Sequence, residues 1–404
     1  MITSFSRLQI SIPESIPYSP RFPLPSQQRF RFRFGLYLRF PAQRKSLDQM
    51  EWMNRLGIGC FATNRSKREV KTEIDSGGED FFDAAAMESS EKPDHLVIMV
   101  NGIIGSSADW KYAAEQFVKK FPDKVLVHRS ESNSATLTFD GVDKMGERLA
   151  NEVVSVIKHR NGLRKISFVA HSLGGLVARY AIGKLYEQPG EIAGLEPINF
   201  ITFATPHLGS RGHRQFPILC GLPFLERKAS ETAHLAAGRT GKHLFLVDKD
   251  DGKPPLLIRM ATDSDDLKFI SALHAFKRRV AYANVNFDYM VGWRTSSIRR
   301  PNELPEPNLL ATDPSYPHIV YVEQGNVDNG SCQSTSTVVT TDESNDLEEE
   351  MLHGLGQLSW ERVDVSFHNS KQRYAAHSTI QVKTYWLHSD GKDVVFHMMD
   401  HFCL

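Results

Sequence analysis

Apolar positions along this chain change their spacing several times, and each change marks an element. Leu96 to Val100, entered through His95, form a short continuous apolar run. That is the pattern of a strand buried on both faces of a parallel sheet. A helical pattern follows from Trp110 to Phe121, then a strand over Lys124 to His128. Between Asp140 and Arg160 the apolar residues Val142, Met145, Leu149, Val153 and Ile157 recur at helical spacing, giving one buried stripe. A β-branched and aromatic run from Lys165 leads into Ala170, His171 and Ser172, and a helix is expected from Leu176 to about Tyr186. Ile198 to Ala204 reads as another strand, Asp265 to Arg279 as a helix and Val280 to Val285 as a strand. Trp360 to Phe367 alternates as a strand, and a closing helix is expected over Val394 to His401. Strands alternating with helices predict an α/β fold with a doubly wound, mostly parallel sheet and right-handed crossovers.

Two stretches depart from this rhythm. Residues 210–256 mix glycine, proline and apolar patches such as Phe216 to Leu225, which suits either a lid over an acyl pocket or a helical insertion with no gating role. Residues 295 to about 350 read as loop, with a flexible stretch at about 325–350. Within it Ser331 to Glu350 are rich in Ser, Thr, Asp and Glu, a composition expected to stay disordered.

Residues 1–93 form a separate extension, and 94–404 the folded domain. Up to Lys45 the extension carries Arg7, Arg21, Arg29, Arg31, Arg33, Arg39 and Arg44 against Glu14 alone. An Arg-rich, Ser-rich, acid-poor start without an apolar centre fits an organellar transit peptide, chloroplast included. A disordered basic tail, or an extension upstream of a start at Met50, fits it equally. Residues 66–92 are polar and charged, as a linker would be.

Charge narrows the partners. Lys plus Arg and Asp plus Glu are 48 each in 404 residues, so no overall field favours nucleic acid. Four cysteines, Cys60, Cys220, Cys332 and Cys403, match no zinc spacing and are too few for a disulfide framework. No apolar run reaches the ~18 residues of a membrane span, so any lipid contact is expected to be peripheral. No metal or cofactor signature competes: the glycine-rich loop at 101–106 has neither a P-loop ending nor G-x-G-x-x-G.

The chemistry concentrates at Ser172. Strand, tight turn, serine and helix are the context in which a nucleophile elbow is recognised. Here the motif is A-H-S-L-G, with Ala170 where glycine is usual. The turn lifts the serine hydroxyl clear of the sheet, and the Leu173 N–H points into the same space. A serine hydroxyl needs an imidazole base oriented by a carboxylate, in the chain order serine, acid, histidine. Asp288 follows the strand at 280–285 and is the favoured acid; Asp263, Asp265 and Asp266 precede a helix and resemble its cap. His377, in the loop after the last strand, is the favoured base over His368, His397 and His401. His171 is expected to pack, and His207 to pack or line the pocket. The loop after the first core strand offers the Ile103 N–H as a second oxyanion donor, with Gly102 intolerant of substitution.

These motifs together resemble the putative serine esterase family of lipase-like α/β-hydrolases, in its plant form. Val100 to Ser106 is similar to that family's oxyanion loop, Thr138 to Leu149 to its second signature, Val169 to Arg179 to its elbow, and Thr202 to Gly209 to the motif that follows. Asn101 stands where most lipases carry histidine. The resemblance spans about residue 94 onward and implies Ser172, Asp288 and His377 as the triad of an enzyme cleaving carboxylic esters of acyl lipids. Transfer of the acyl group to another alcohol, or a non-catalytic binding role, are the competing expectations. The expected location is intracellular, in the chloroplast, the cytosol or at a lipid surface.

Overall fold

The computed structural model describes residues 93–210, 237–249, 252–325 and 343–404, together with the strands Val70–Ile74 (β1) and Asp80–Ala84 (β2). The basic extension up to residue 69 and most of the 210–256 insertion lie outside the described residues, as do residues 326–342 of the acidic stretch. The transit-peptide and lid readings therefore fall there.

Seven further strands complete one sheet: β3 (His95–Val100), β4 (Val125–Arg129), β5 (Lys165–His171), β6 (Glu196–Phe203), β7 (Arg278–Asn284), β8 (Ile319–Glu323) and β9 (Glu361–Val365). Their order is β1-β2-β4-β3-β5-β6-β7-β9-β8. The six central strands, β4 to β9 in that order, run parallel, and antiparallel strands finish each edge. The fold is the expected α/β-hydrolase type. The chain leaves β3 to form β4 on one side, then crosses back to form β5 on the other. Such a reversal opens a crevice at the carboxyl ends of the strands.

Two cores, one per face, explain the near-continuous apolar strands. In β3, Leu96, Ile98 and Val100 enter one cluster while Val97 and Met99 enter the other. The first face is covered by α2 (Val142–His159) and α3 (Leu173–Leu185), the second by α1 (Lys111–Lys120) and the closing helix Lys392–Asp400. α2 buries Val142, Met145, Leu149 and Val153 as its spacing predicts, and Val156 beside Ile157. α3 begins at Leu173 rather than Leu176 and is buried almost all round. Arg179 within it is itself buried, donating to the carbonyls of His207 (3.2 Å) and Met260 (2.9 Å).

Several expectations are corrected. Residues 66–92 were expected to be a linker, yet they supply β1 and β2, and Phe81 and Phe82 pair with His128 and Val127 of β4. Their pairing partner, β4, lies far along the chain, so no local pattern marks them. The helix expected over Asp265–Arg279 shrinks to Phe269–His274. Phe276 then drops into the core against Phe168 and Phe200, and Arg278 already pairs with Asn199 of β6. Tertiary pairing overrides local periodicity there. The expected loop at 295–350 contains the edge strand β8 and the start of the helix Glu343–Gly356. That helix buries Met351, Leu352 and Leu355, and turns Glu348 and Glu349 toward Arg294 and Arg300. Glu348 and Glu349 are thus ordered in ion pairs on a core-packed helix, and composition alone misread them.

Gly174 fixes how close α3 sits to the sheet. A Cβ there would lie 2.5 Å from the Asn101 carbonyl oxygen and 2.6 Å from that of Val100, and backbone cannot swing aside as a side chain can. Gly174→Ala is expected to destabilise the fold by about 1–3 kcal/mol or more, read as a lower urea midpoint. An unchanged midpoint would mean that strand and helix separate at little cost.

Candidate active site

Ser172 occupies the single residue between β5 and α3. Its backbone has φ 54° and ψ −129°, a region that non-glycine residues enter at a cost of about 1–3 kcal/mol. The surroundings enforce it: the Ser172 N–H donates to the Phe203 carbonyl at 2.8 Å, and the helix starts at the next residue. Leu173 opens that helix, so its N–H is among the first-turn donors with no partner inside the helix.

Two more loops at the carboxyl ends of the strands converge on the serine. His377 lies on the short helix Ala376–Thr379 after β9, with Nε2 3.0 Å from Ser172 Oγ. Its Nδ1 is 3.0 Å from Asp288 Oδ2. Asp288 follows β7 and is held by three further donors: Asn284 Nδ2 to Oδ2 (2.8 Å), and the backbone N–H groups of Met290 (3.0 Å) and Val291 (2.9 Å) to Oδ1. Burial pushes the Asp288 carboxyl up, but His377 and these hydrogen bonds outweigh it and hold it below the usual carboxylate range. Serine, imidazole and carboxylate, expected from three distant segments, are thus joined in one hydrogen-bonded line.

The glycine-rich loop after β3 meets the serine at Gly102. A Cβ on Gly102 would lie 2.9 Å from Ser172 Cβ and 3.2 Å from His171 Nδ1, so the loop backbone packs directly against Ser172. Residues 102–105 form a turn closed by Gly105 N–H to the Gly102 carbonyl at 3.1 Å. That bond leaves the Ile103 N–H unused by the turn. Asn101, at the position of the usual histidine, is buried and donates Nδ2 to the carbonyls of Gly102 (3.1 Å) and Asn133 (2.9 Å). Its side chain therefore fixes loop shape.

The rival histidines and carboxylates lie elsewhere. Asp263 accepts from the N–H groups of Ile270 (2.8 Å) and Ser271 (3.2 Å), capping its helix as expected. His397 is buried against the Tyr282 hydroxyl, 2.9 Å from Nδ1, and His368 packs near Phe287. His207 is fully buried, with Nε2 3.0 Å from Thr202 Oγ1.

Sequence reasoning missed two supporting contacts. Asn284, the last residue of β7, orients Asp288. His171 packs as expected, but its Nε2 also lies 2.6 Å from the main-chain carbonyl of His377, to which it donates. Burial, with the neighbouring His377 ring, drives the His171 imidazole well below its ordinary value and keeps it neutral. A histidine beside the serine was visible in the sequence; its partner 206 residues away was not.

With this geometry in hand, comparison with known proteins places it. Residues 90–298 match the family described as putative serine esterase (DUF676). The chain is 35% identical over 214 residues to a Saccharomyces cerevisiae protein named putative lipase ROG1, covering 52% of this chain and 29% of that one. It is 29% identical over 218 residues to putative lipase C4A8.10 of Schizosaccharomyces pombe, covering 51% and 26%. The chain thus spans less than a third of the length of these relatives. Among solved structures, it is similar to Bacillus licheniformis lipase BlEst2 at 17% identity and TM-score 0.35, covering 55% of this chain and 85% of that one. A Thermogutta terrifontis esterase, Est2, aligns at 12% identity and TM-score 0.36, covering 77% and 90%.

Neutral buried imidazoles make the fold acid-sensitive. His171 and His207 lie well below the ordinary value of 6.5, and burial takes His95 and His397 to about 4. Below pH 6.5 the unfolded chain takes up these protons and the folded one does not, so stability falls with falling pH. Each such group contributes a slope of up to about 1.4 kcal/mol per pH unit. Urea midpoints measured from pH 7 to 5 are expected to drop, and His171→Gln to remove about one proton from the slope. An unaltered slope in that variant would show that native His171 titrates normally.

Proposed function

The chain belongs to the putative serine esterase family, and from that premise we propose that it is a serine hydrolase cleaving carboxylic esters of acyl lipids. The observation that carries the reading is the unbroken line from Ser172 Oγ through His377 to Asp288, each contact at 3.0 Å. It supports a triad in which Ser172 is the nucleophile, His377 the base and Asp288 its orienting acid.

In the proposed cycle Ser172 Oγ attacks the ester carbonyl while His377 Nε2 takes its proton. The Asp288 carboxylate stabilises the imidazolium and fixes the ring with Nδ1–H toward itself. The N–H groups of Ile103 and Leu173 receive the negative charge on the carbonyl oxygen. The imidazolium then protonates the departing alcohol, leaving an acyl-enzyme. Water enters, His377 takes its proton, and the acid leaves as Ser172 regains its hydrogen. An alcohol in place of that water would give acyl transfer by the same steps.

A lipid substrate, and peripheral contact with a lipid surface, are supported by what surrounds the triad. Ile104, Leu137, Tyr289, Met290, Tyr374, Tyr385, Trp386 and Leu387 are exposed large apolar side chains. Each lies in a segment following a parallel strand: Ile104 after β3, Leu137 after β4, Tyr289 and Met290 on the Asp288 segment after β7, and the rest on the His377 segment after β9. Trp and Tyr with one wet end suit the boundary between water and lipid. No helix among the described residues is long and apolar enough to cross a membrane.

The test is hydrolysis of p-nitrophenyl esters graded in chain length. Ser172→Ala is expected to reduce kcat to background and to abolish labelling by a fluorophosphonate, and Asp288→Asn to lower kcat by about 10⁴-fold. Equal rates for wild type and Ser172→Ala would refute the enzyme reading and leave a non-catalytic role. Full activity in His377→Ala would move the base elsewhere.

A further inference from the structure

Ile104 is a conformational oddity at the heart of the oxyanion loop. It is β-branched, largely exposed, and has φ 53°. A β-branched residue enters the left-handed region only when something holds it there. The holder is Thr138: its Oγ1 accepts the Ile104 N–H at 3.0 Å and donates its own hydrogen to the Ala135 carbonyl at 2.6 Å. Ala135 in turn gives its N–H to the Gly105 carbonyl at 3.0 Å. Thr138 is fully buried and opens the Thr138–Leu149 motif, to which the triad assigns no task.

Thr138 is itself clamped from the described part of the 210–256 insertion. The Thr240 hydroxyl donates to the Thr138 carbonyl (2.7 Å) and accepts the Gly141 N–H (3.0 Å), while His243 Nδ1 accepts the Val142 N–H (3.0 Å). Arg239 adds a two-pronged ion pair to Asp143. The contact is tight: a Cβ on Gly238 would lie 2.6 Å from the Phe139 carbonyl oxygen.

We propose that Thr138 is a positioning residue for the oxyanion hole: its hydroxyl holds Ile104 in the left-handed turn that presents the Ile103 N–H to the tetrahedral intermediate. The role rests on the serine-hydrolase reading above. Because the Ile104 N–H is tied to Thr138 and the Gly105 N–H to Gly102, Ile103 is the turn amide left for the substrate oxygen. Without the hydroxyl, Ile104 relaxes toward negative φ and the intervening peptide rotates. The carbonyl oxygen then loses alignment with one of its two donors, while ground-state binding of the ester is untouched.

Thr138→Val removes the hydroxyl and keeps the shape; Thr138→Ser keeps the hydroxyl. With p-nitrophenyl butyrate, Thr138→Val is expected to lower kcat about 10- to 100-fold, short of the ~10²–10³ of an outright lost donor, with KM within twofold. Affinity for an alkyl trifluoromethyl ketone, which forms a tetrahedral adduct on the serine, should fall by the same factor. Thr138→Ser should restore both. Should Thr138→Val not fold, Ile104→Pro breaks the same bond from the exposed side, removing the N–H and forbidding positive φ, and is expected to reproduce the loss. Wild-type kcat and ketone affinity in folded Thr138→Val, or in Ile104→Pro, would overturn the role while leaving the hydrolase reading intact. A wild-type protein that neither hydrolyses the ester nor binds the ketone would remove both.

Discussion

The site depends on one close approach, that of the α3 N-terminus to the carboxyl end of β3. Gly174 lets α3 rest on the carbonyls of Val100 and Asn101, and Gly102 lets the next loop rest on Ser172. With no Cβ on either side, two backbones share a space that normally holds one layer of side chains. The serine between them has nowhere to relax, which is why it keeps φ 54°. A single steric condition therefore orients the hydroxyl, exposes the first amides of α3 and brings the oxyanion loop alongside. The strain is local, and the two apolar cores on either face of the sheet hold it in place.

Electrostatics follows from the same crowding. A buried charge is tolerated only when paired and hydrogen-bonded. Asp288 meets that condition through His377, Asn284 and two backbone N–H groups. His171, equally buried, has no carboxylate partner in the described contacts and stays neutral, spending its one ring N–H on the His377 carbonyl. One buried group remains ionised and its neighbour uncharged because one is ringed by donors and the other faces an acceptor. His377 lies between Asp288, on its Nδ1, and the Ser172 hydroxyl, on its Nε2.

How much of this was legible in the sequence depended on the range of the interaction responsible. β3, β5, β6 and α2 announced themselves because their burial pattern is carried by consecutive or helically spaced residues. Ser172 was legible because the elbow is a local motif. Asp288 and His377 were picked by position after a strand, and the structure brings both to the serine. What escaped was set by partners far along the chain: β1 and β2 exist by pairing with β4, Phe276 ends its helix by entering the core, and Thr138 has meaning only opposite Ile104. The acidic run at Glu348–Glu350 was expected to be disordered because the apolar stripe of its helix, Leu347, Met351 and Leu355, is interleaved with acidic residues. Composition reports the average of a segment, whereas a helix needs one good stripe.

The chain order of the three aligned residues has a consequence for how the protein comes into being. Ser172, Asp288 and His377 follow β5, β7 and β9, so the contact between the first and last closes a loop of 205 residues. A domain generally folds as a unit, so the early emergence of β5 and α3 during synthesis does not by itself assemble the site. The alignment of Ser172 with His377 and Asp288 is complete only when β9, the last parallel strand, joins the sheet.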